Sequence, residues 1–288
     1  LFSLSCTLQA EKYETVSPNG KLKIKLKIDK GTQYEVWYDN TQLILPSPIG
    51  LHLADGRVIG NGSVKSAKKR KVNQTIDVLV GKNKELQDTY NELTVSFNDS
   101  CDLVVRAYDE GVAYHFATRL NGEITIISED AIFNFTSTPT IYYPECDANY
   151  SGETDQSGRT HQVHQGYRNF ERLYKVYKGP LEIPYERFAV SPVLYEYPDS
   201  PYKVVVTESN TYDYPALYME SNGYNSMRGK WANYPKETID SDPSNPYYWY
   251  SNHLVVTREN YIAKTDGNRS FPWRVIIVSE DDKSLLNN

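Results

Sequence analysis

Cysteine and methionine are scarce in this chain, three and two of its 288 residues, and no stretch approaches the roughly 18 consecutive apolar residues that a membrane-spanning helix needs. The first shortage excludes a disulfide-built scaffold, and the second excludes a helical bilayer span. Cys6 falls in the apolar opening stretch, which leaves Cys101 and Cys146 as the only pair the rest of the chain can form. Their spacing leaves open whether they bond or stay as buried thiols. Basic charge is also lacking. With 31 Lys and Arg against 37 Asp and Glu, the formal net charge is −6, whereas phosphate binding needs a net basic face, so no nucleic-acid partner is expected.

Complete metal motifs are missing too. His161 and His164 stand in a His-x-x-His arrangement with no third ligand at a characteristic spacing, so they read as loop histidines and not as a zinc site. Glu145, Asp147, Glu153 and Asp155 share the same polar stretch but lack the spaced acid and glycine pattern of a calcium loop. Choosing Glu145 with Glu153 as a catalytic pair would be arbitrary. His115 and His253 lie in strand-like segments without an identifiable carboxylate partner, which argues against an independent epimerase of the mutarotase type. Long amphipathic helical patterns are likewise absent.

Tyrosine is what the chain has in plenty. Its 25 tyrosines and 4 tryptophans suit broad sheets and sugar-facing surfaces. Lys21 to Ile28 alternates strictly, so its lysines face water while Leu22, Ile24, Leu26 and Ile28 face a core. Further strands are expected at 34–38, 75–81, 91–98, 101–107, 112–116, 124–127, 131–135, 169–174, 189–195, 253–257 and 273–278, with Lys65 to Lys71 as an exposed charged connection. Residues 142–167 and 222–249 read as long loops. So many short strands imply two large packed sheets.

The segment from Lys203 to Met219 stands out. Val204, Val205, Val206 and Thr207 form a β-branched run, Glu208 stands where it stops, and Asp213, Tyr214 and Pro215 then divert the backbone. A carboxylate at a strand end is held on rigid backbone, which suits a metal ligand or a substrate contact. The other reading is a solvated strand end.

Several segments together carry a resemblance: Ser17-Pro18-Asn19-Gly20-Lys21, Ser47-Pro48-Ile49-Gly50-Leu51, Tyr108-Asp109-Glu110-Gly111-Val112-Ala113-Tyr114, Val206-Thr207-Glu208 with Asp213-Tyr214-Pro215, and Phe271-Pro272-Trp273-Arg274-Val275-Ile276-Ile277. In this order they resemble the N-terminal domain of glycoside hydrolase family 97, the α-glucosidase and α-galactosidase family. The resemblance implies an all-β supersandwich similar to the galactose-mutarotase fold, with few short helices. It also implies a (β/α)8 catalytic barrel that this chain lacks, packed against the domain, and a calcium ion to which Glu208 contributes.

The expected organisation is therefore a secretory-signal remnant at 1–10, a β-supersandwich at 11–278 and a linker stub at 279–288 leading towards the barrel. The expected function is an accessory, carbohydrate-binding domain for α-linked oligosaccharides, secreted or periplasmic, with no hydrolysis by the isolated chain, which would be a truncated reading frame or an isolated domain. The alternative is a stand-alone carbohydrate-binding or scaffold protein without chemistry. Aromatics between Tyr224 and Trp249 are candidate sugar platforms, or else surfaces buried against the barrel.

Overall fold

A computed structural model of the chain describes residues 10–79, 83–145, 174–184, 187–240, 244 and 253–285. The first strands form an antiparallel meander: β1 (Glu11–Val16), β2 (Leu22–Ile28), β3 (Thr32–Tyr38) and β4 (Thr41–Leu53). The period-2 reading of β2 holds, because Leu22, Ile24, Leu26 and Ile28 are all buried while the lysines between them are not. After the short β5 (Val58–Ile59), a long hairpin of β6 (Val64–Asp77) and β7 (Glu85–Phe97) leads to β8 (Cys101–Ala107) and then to β9 (Gly111–Phe135).

β9 organises the domain. Its first part pairs with β8 and with the last strand, β20 (Trp273–Ser279), and its later part pairs with β4 and with β16 (Ser226–Lys230). One strand of 25 residues therefore belongs to both sheets. Between the two parts, β19 (Ala263–Ser270) runs beside β9 with a bulge between Asp266 and Asn268, a device that bends a strand as it changes sheet. The first sheet continues from β20 through β14 (Lys203–Ser209), β13 (Val193–Glu196) and β10 (Thr140–Pro144) to β11 (Tyr174–Tyr177). The second sheet extends from β16 through β15 (Tyr218–Ser221) to β12 (Phe188–Val190). A separate two-stranded ribbon, β17 (Pro235–Asp240) with β18 (His253–Arg258), a 3-10 turn at Pro180–Glu182 and the short helix α1 (Asp282–Leu285) complete the described elements.

The two sheets face each other across one apolar core. Tyr34 of the second sheet lies 5.3 Å from Tyr114 of the first, ring to ring, and Phe135 lies 4.5 Å from Tyr195. Each large side chain buried in this way contributes roughly 1.5–3 kcal/mol before entropy is counted. Buried hydroxyls bond across the chain as well: Tyr143 donates to the Met219 carbonyl at 2.7 Å, and Tyr197 donates to that of Leu43. The chain is thus all-β, with the two packed sheets that its alternation implies and the supersandwich that the resemblance implies.

Several expectations need correction, and one of them is the single strand at 189–195, which is β12 and β13 in different sheets. The lysine-rich segment 65–71 is not a connection but part of β6, paired with β7 from Val64 opposite Phe97 to Asp77 opposite Glu85. Charge misleads there because an edge strand protects itself with lysines. The separate strands expected at 124–127 and 131–135 are one continuous β9, and the stretch 222–249 contains β16 and β17. Leu1–Gln9, Cys146, Asp147, Glu153, Asp155, His161, His164 and all but the last residue of the strand expected at 169–174 lie outside the described residues. The terminal stretch 279–288 begins inside β20 and includes α1.

Candidate functional site

Alternation fixes where Glu208 points. Along β14, Val204 and Val206 are buried and Lys203, Val205 and Thr207 face the other way, so Glu208 shares the inward face. Opposite it in register stands Arg274 of β20, on the same inward face as Ile276 and Val278. The third member, Glu129, comes from the part of β9 that pairs with β4. Closure of the sandwich brings all three together.

The geometry is specific. Arg274 donates from Nε to Glu129 Oε1 and from Nη2 to Glu129 Oε2, both at 2.7 Å, and from Nη1 to Glu208 Oε2 at 2.7 Å. Glu208 Oε1 accepts the Leu217 amide at 2.7 Å, and Tyr214 donates its hydroxyl to Glu129 Oε2 at 3.1 Å. The side chains of Arg274, Glu129 and Glu208 are only 1%, 5% and 8% exposed. After Glu208 the backbone turns back through the left-handed residues Asn210 and Asp213, and Arg269 pins that turn by donating to the Tyr212 and Asp213 carbonyls, each at 3.0 Å.

One guanidinium stands between two buried carboxyl groups inside the sandwich. Burial pushes the Glu208 carboxyl above its usual range, while Arg274 pulls it down. Burial works to lower the Arg274 guanidinium, but the neighbouring Glu129 and Glu208 outweigh it and hold it charged. Above the ion cluster, the Trp231 ring centre lies 5.1 Å from the guanidinium and Tyr214 meets Phe271 edge-on at 5.6 Å.

Each Glu208 oxygen accepts a hydrogen bond from within the domain, Oε2 from Arg274 and Oε1 from the Leu217 amide. Among the described residues, no three His, Cys, Asp or Glu side chains are grouped to hold a metal, whereas calcium takes six to eight oxygens. A carboxylate at a strand end reads as loop-facing only if its alternation phase is ignored; Glu208 is in phase with the core.

At the same end of the sandwich, a cavity of about 390 Å³ is lined by Asp213, Tyr214, Asn233, Tyr234, Ile262 and Lys264, among others. Tyr234 stacks on Tyr261 with ring centres 5.7 Å apart. Tyr212 and Tyr224 are largely solvent-exposed. The remaining singled-out residues serve the frame. Glu145 is buried, accepts the Tyr177 hydroxyl at 2.5 Å and lies 3.7 Å from Arg187. His115 packs against Trp273 at 4.0 Å. Cys101 is buried and has no disulfide partner among the described residues. Arg274 and Glu129 were missed as partners of Glu208; an arginine at the inward phase of an otherwise apolar strand, Trp273-Arg274-Val275-Ile276, was the available signal.

A two-sheet sandwich with one long strand shared by both sheets and a buried ion cluster at one end defines a large β domain without an open pair of carboxylates at that cluster. The profile described as Glycosyl-hydrolase 97 N-terminal matches residues 15–288, and the chain belongs to that family. It is 31% identical over 290 aligned positions to a retaining alpha-galactosidase of Bacteroides thetaiotaomicron, an alignment that covers 99% of this chain and 42% of that protein. Among solved structures, a glycoside hydrolase family 97 enzyme from Pseudoalteromonas sp. strain K8 in complex with panose superposes with a TM-score of 0.69 at 17% identity, covering 96% of this chain and 37% of the other. The same enzyme in complex with acarbose gives 0.66 at 17% identity, covering 96% and 38%. At that identity the likeness concerns the fold. The chain spans less than half the length of the relatives it matches.

Proposed function

We propose that this chain is the non-catalytic, carbohydrate-facing N-terminal domain of an α-glycoside hydrolase, and that its ligands are α-linked oligosaccharides. The observation that carries the reading is membership of the family's N-terminal domain over residues 15–288, within a chain that covers 42% of an alpha-galactosidase relative. The tyrosine-lined cavity beside the Glu208 end supports a sugar-facing role, because aromatic rings stack on pyranose faces while Asp213, Asn233 and Lys264 offer hydrogen-bonding groups. Glycoside hydrolysis needs two carboxylates flanking open space for the bond. Glu129 and Glu208, clamped by Arg274 and buried, do not supply that, which supports assigning the reaction to carboxylates outside this domain. Calcium does not enter this reading through Glu208, since its oxygens are engaged within the domain. The reading includes action outside the cytoplasm, periplasmic or secreted, supported by the signal-like opening Leu1 to Ala10.

The test is titration calorimetry of the chain with α-linked gluco- and galacto-oligosaccharides, alongside hydrolysis assays with aryl α-glycosides. Expected are weak, saturable binding reduced about tenfold in Tyr234→Ala, as for loss of one stacking platform, and no turnover. Turnover by the chain alone would overturn the non-catalytic assignment. Sugar binding unchanged in Tyr234→Ala and Tyr212→Ala would remove the cavity from it.

A further inference from the structure

A cavity of about 280 Å³ lies on the outward face of the second sheet, between β15, β16 and the 3-10 turn at Pro180–Glu182. Met219 and Met227 are buried in the core, so Glu220, Arg228 and Lys230, in the opposite phase, face outward into this cavity. It shares no lining residue with the cavity beside Tyr234.

Its polar wall carries three cations. Glu220 holds two of them, accepting from Arg228 Nε at 2.8 Å and from Lys230 Nζ at 2.7 Å. The third, Arg187, stands just before β12, with Nη1 3.7 Å from Glu145 Oε1. Glu145 is buried, and its other oxygen accepts the Tyr177 hydroxyl. A separation of 3.7 Å attracts the guanidinium without a hydrogen bond, and Arg228 reaches Glu220 through Nε, so both arginines keep their terminal nitrogens for a ligand. Even with Glu145 and Glu220 both charged, the three cations leave one positive charge in excess. Glu182, on the turn, is engaged elsewhere, by the Lys178 amide.

The turn supplies an apolar wall. Pro180, Leu181, Ile183 and Pro184 line the cavity, and Leu181 is 69% exposed. Ser221 fixes the turn against β15 by donating to the Pro180 carbonyl at 2.7 Å. A bare oxyanion would use the cations and leave this wall in water, whereas a neutral sugar would use the wall and leave the cations without a counter-charge. A ring that bears a carboxylate uses both, because guanidinium forks match a carboxylate in two-point contact and the C–H face of the ring packs on aliphatic side chains.

We propose that this cavity is a second ligand site, specific for a pyranose that carries a carboxylate, with Arg187 and Arg228 engaging the carboxylate and Leu181 and Pro184 packing on the ring. Such a site adds to the accessory reading and stands whether or not the Tyr234 cavity binds neutral oligosaccharides.

The experiment is titration calorimetry of the full chain with galacturonate, glucuronate, galactose and inorganic phosphate. Expected is saturable binding of a uronate at low salt, weakened about tenfold in Arg187→Gln and in Arg228→Gln and weakened further as salt is raised. Galactose and phosphate are each expected to bind about tenfold or more weakly than the uronate. Lys65→Gln, the same change of charge on β6, is expected to leave the affinity unchanged. Circular dichroism verifies folding, and Arg228→Gln is the gentler variant, because that side chain is half exposed and Lys230 stays on Glu220. Uronate affinity unchanged in folded Arg228→Gln overturns the site, as does the absence of binding by either uronate. Phosphate bound as tightly as a uronate, with the same loss in Arg228→Gln, reduces the cavity to an inorganic oxyanion site and overturns the sugar assignment. An equal loss in Lys65→Gln traces the binding to overall charge and overturns the proposal as well.

Discussion

Arg274 meets Glu129 through two parallel contacts, Nε to Oε1 and Nη2 to Oε2, each 2.7 Å long, and the two residues come from strands of different pairing across the sandwich. Bidentate pairs of this kind fix orientation as well as distance. With Glu208 as third member, the arrangement ties β9, β14 and β20 together from inside.

Removal of the guanidinium is expected to be the most damaging single change at this cluster. Arg274→Met leaves two carboxylates buried without a counter-ion and lowers unfolding stability by about 3–5 kcal/mol, the range for breaking a buried pair. Urea denaturation measures it. A loss below about 1 kcal/mol would mean that the cluster is hydrated and behaves like a surface pair.

Glu208→Gln is expected to act more gently. The amide keeps an acceptor for the Leu217 N–H but sets an N–H donor against Arg274 Nη1, so stability falls by about 1–3 kcal/mol. Millimolar calcium is expected to leave the thermal midpoint of both proteins unchanged. A calcium-dependent rise in the wild type that disappears in Glu208→Gln would restore Glu208 as a ligand.

The acid limb of stability is expected to carry the signature of His115. Burial and, after it, the Arg106 cation push its imidazole from 6.5 down to about 4. The unfolded chain therefore takes up the proton first, so this contribution is intact above about 6.5 and declines as the pH falls through about 4. Burial works to raise the Glu92 carboxyl, but Arg70 and Arg106 outweigh it and hold it below the usual range. Its share is likewise intact above the unfolded value and lost as the pH falls through the folded one. Glu208, raised by burial, runs the opposite way: its contribution is full below the unfolded value and is lost as the pH rises through the folded one. Thermal midpoints between pH 7 and pH 4 should fall less steeply in His115→Gln than in wild type. Parallel curves would exclude His115 as the source.

Gly111 opens β9 directly against the backbone of β20. A Cβ there would stand 2.8 Å from the Ile276 carbonyl oxygen and 3.2 Å from the Ile277 Cα, backbone atoms that β20 cannot shift while paired on both sides. Gly111→Ala is expected to lower stability by about 1–3 kcal/mol, as overpacking does. Gly20→Ala provides the contrast: nothing lies within 4 Å of its Cβ, although its φ of 82° penalises any side chain. Equal losses in the two variants would show that backbone preference, not crowding, governs both positions.

Much of the fold was legible because strand alternation is local. The lysine and leucine phases of β2 assign its two faces directly, and the same phase rule would have turned Glu208 inward had it been carried past Thr207. The hairpin of β6 and β7 was less legible. Beyond Val72 opposite Tyr90 it is exposed, and polar cross-strand contacts such as Gln74 to Asp88 at 2.8 Å and Gln87 to Asn73 at 2.6 Å hold it. A strand with no buried face has no apolar alternation to read.

The sequence by itself determined that the chain is built of strands, which faces of those strands are apolar, and the family to which its ordered segments belong. Only the tertiary structure decided what Glu208 does. Its partner Arg274 lies 66 residues further on, and Arg274 in turn meets Glu129 across a separation of 145 residues. Alternation is set residue by residue along one strand, whereas an ion cluster exists only after two sheets have closed over it and removed the water that would otherwise solvate each charge.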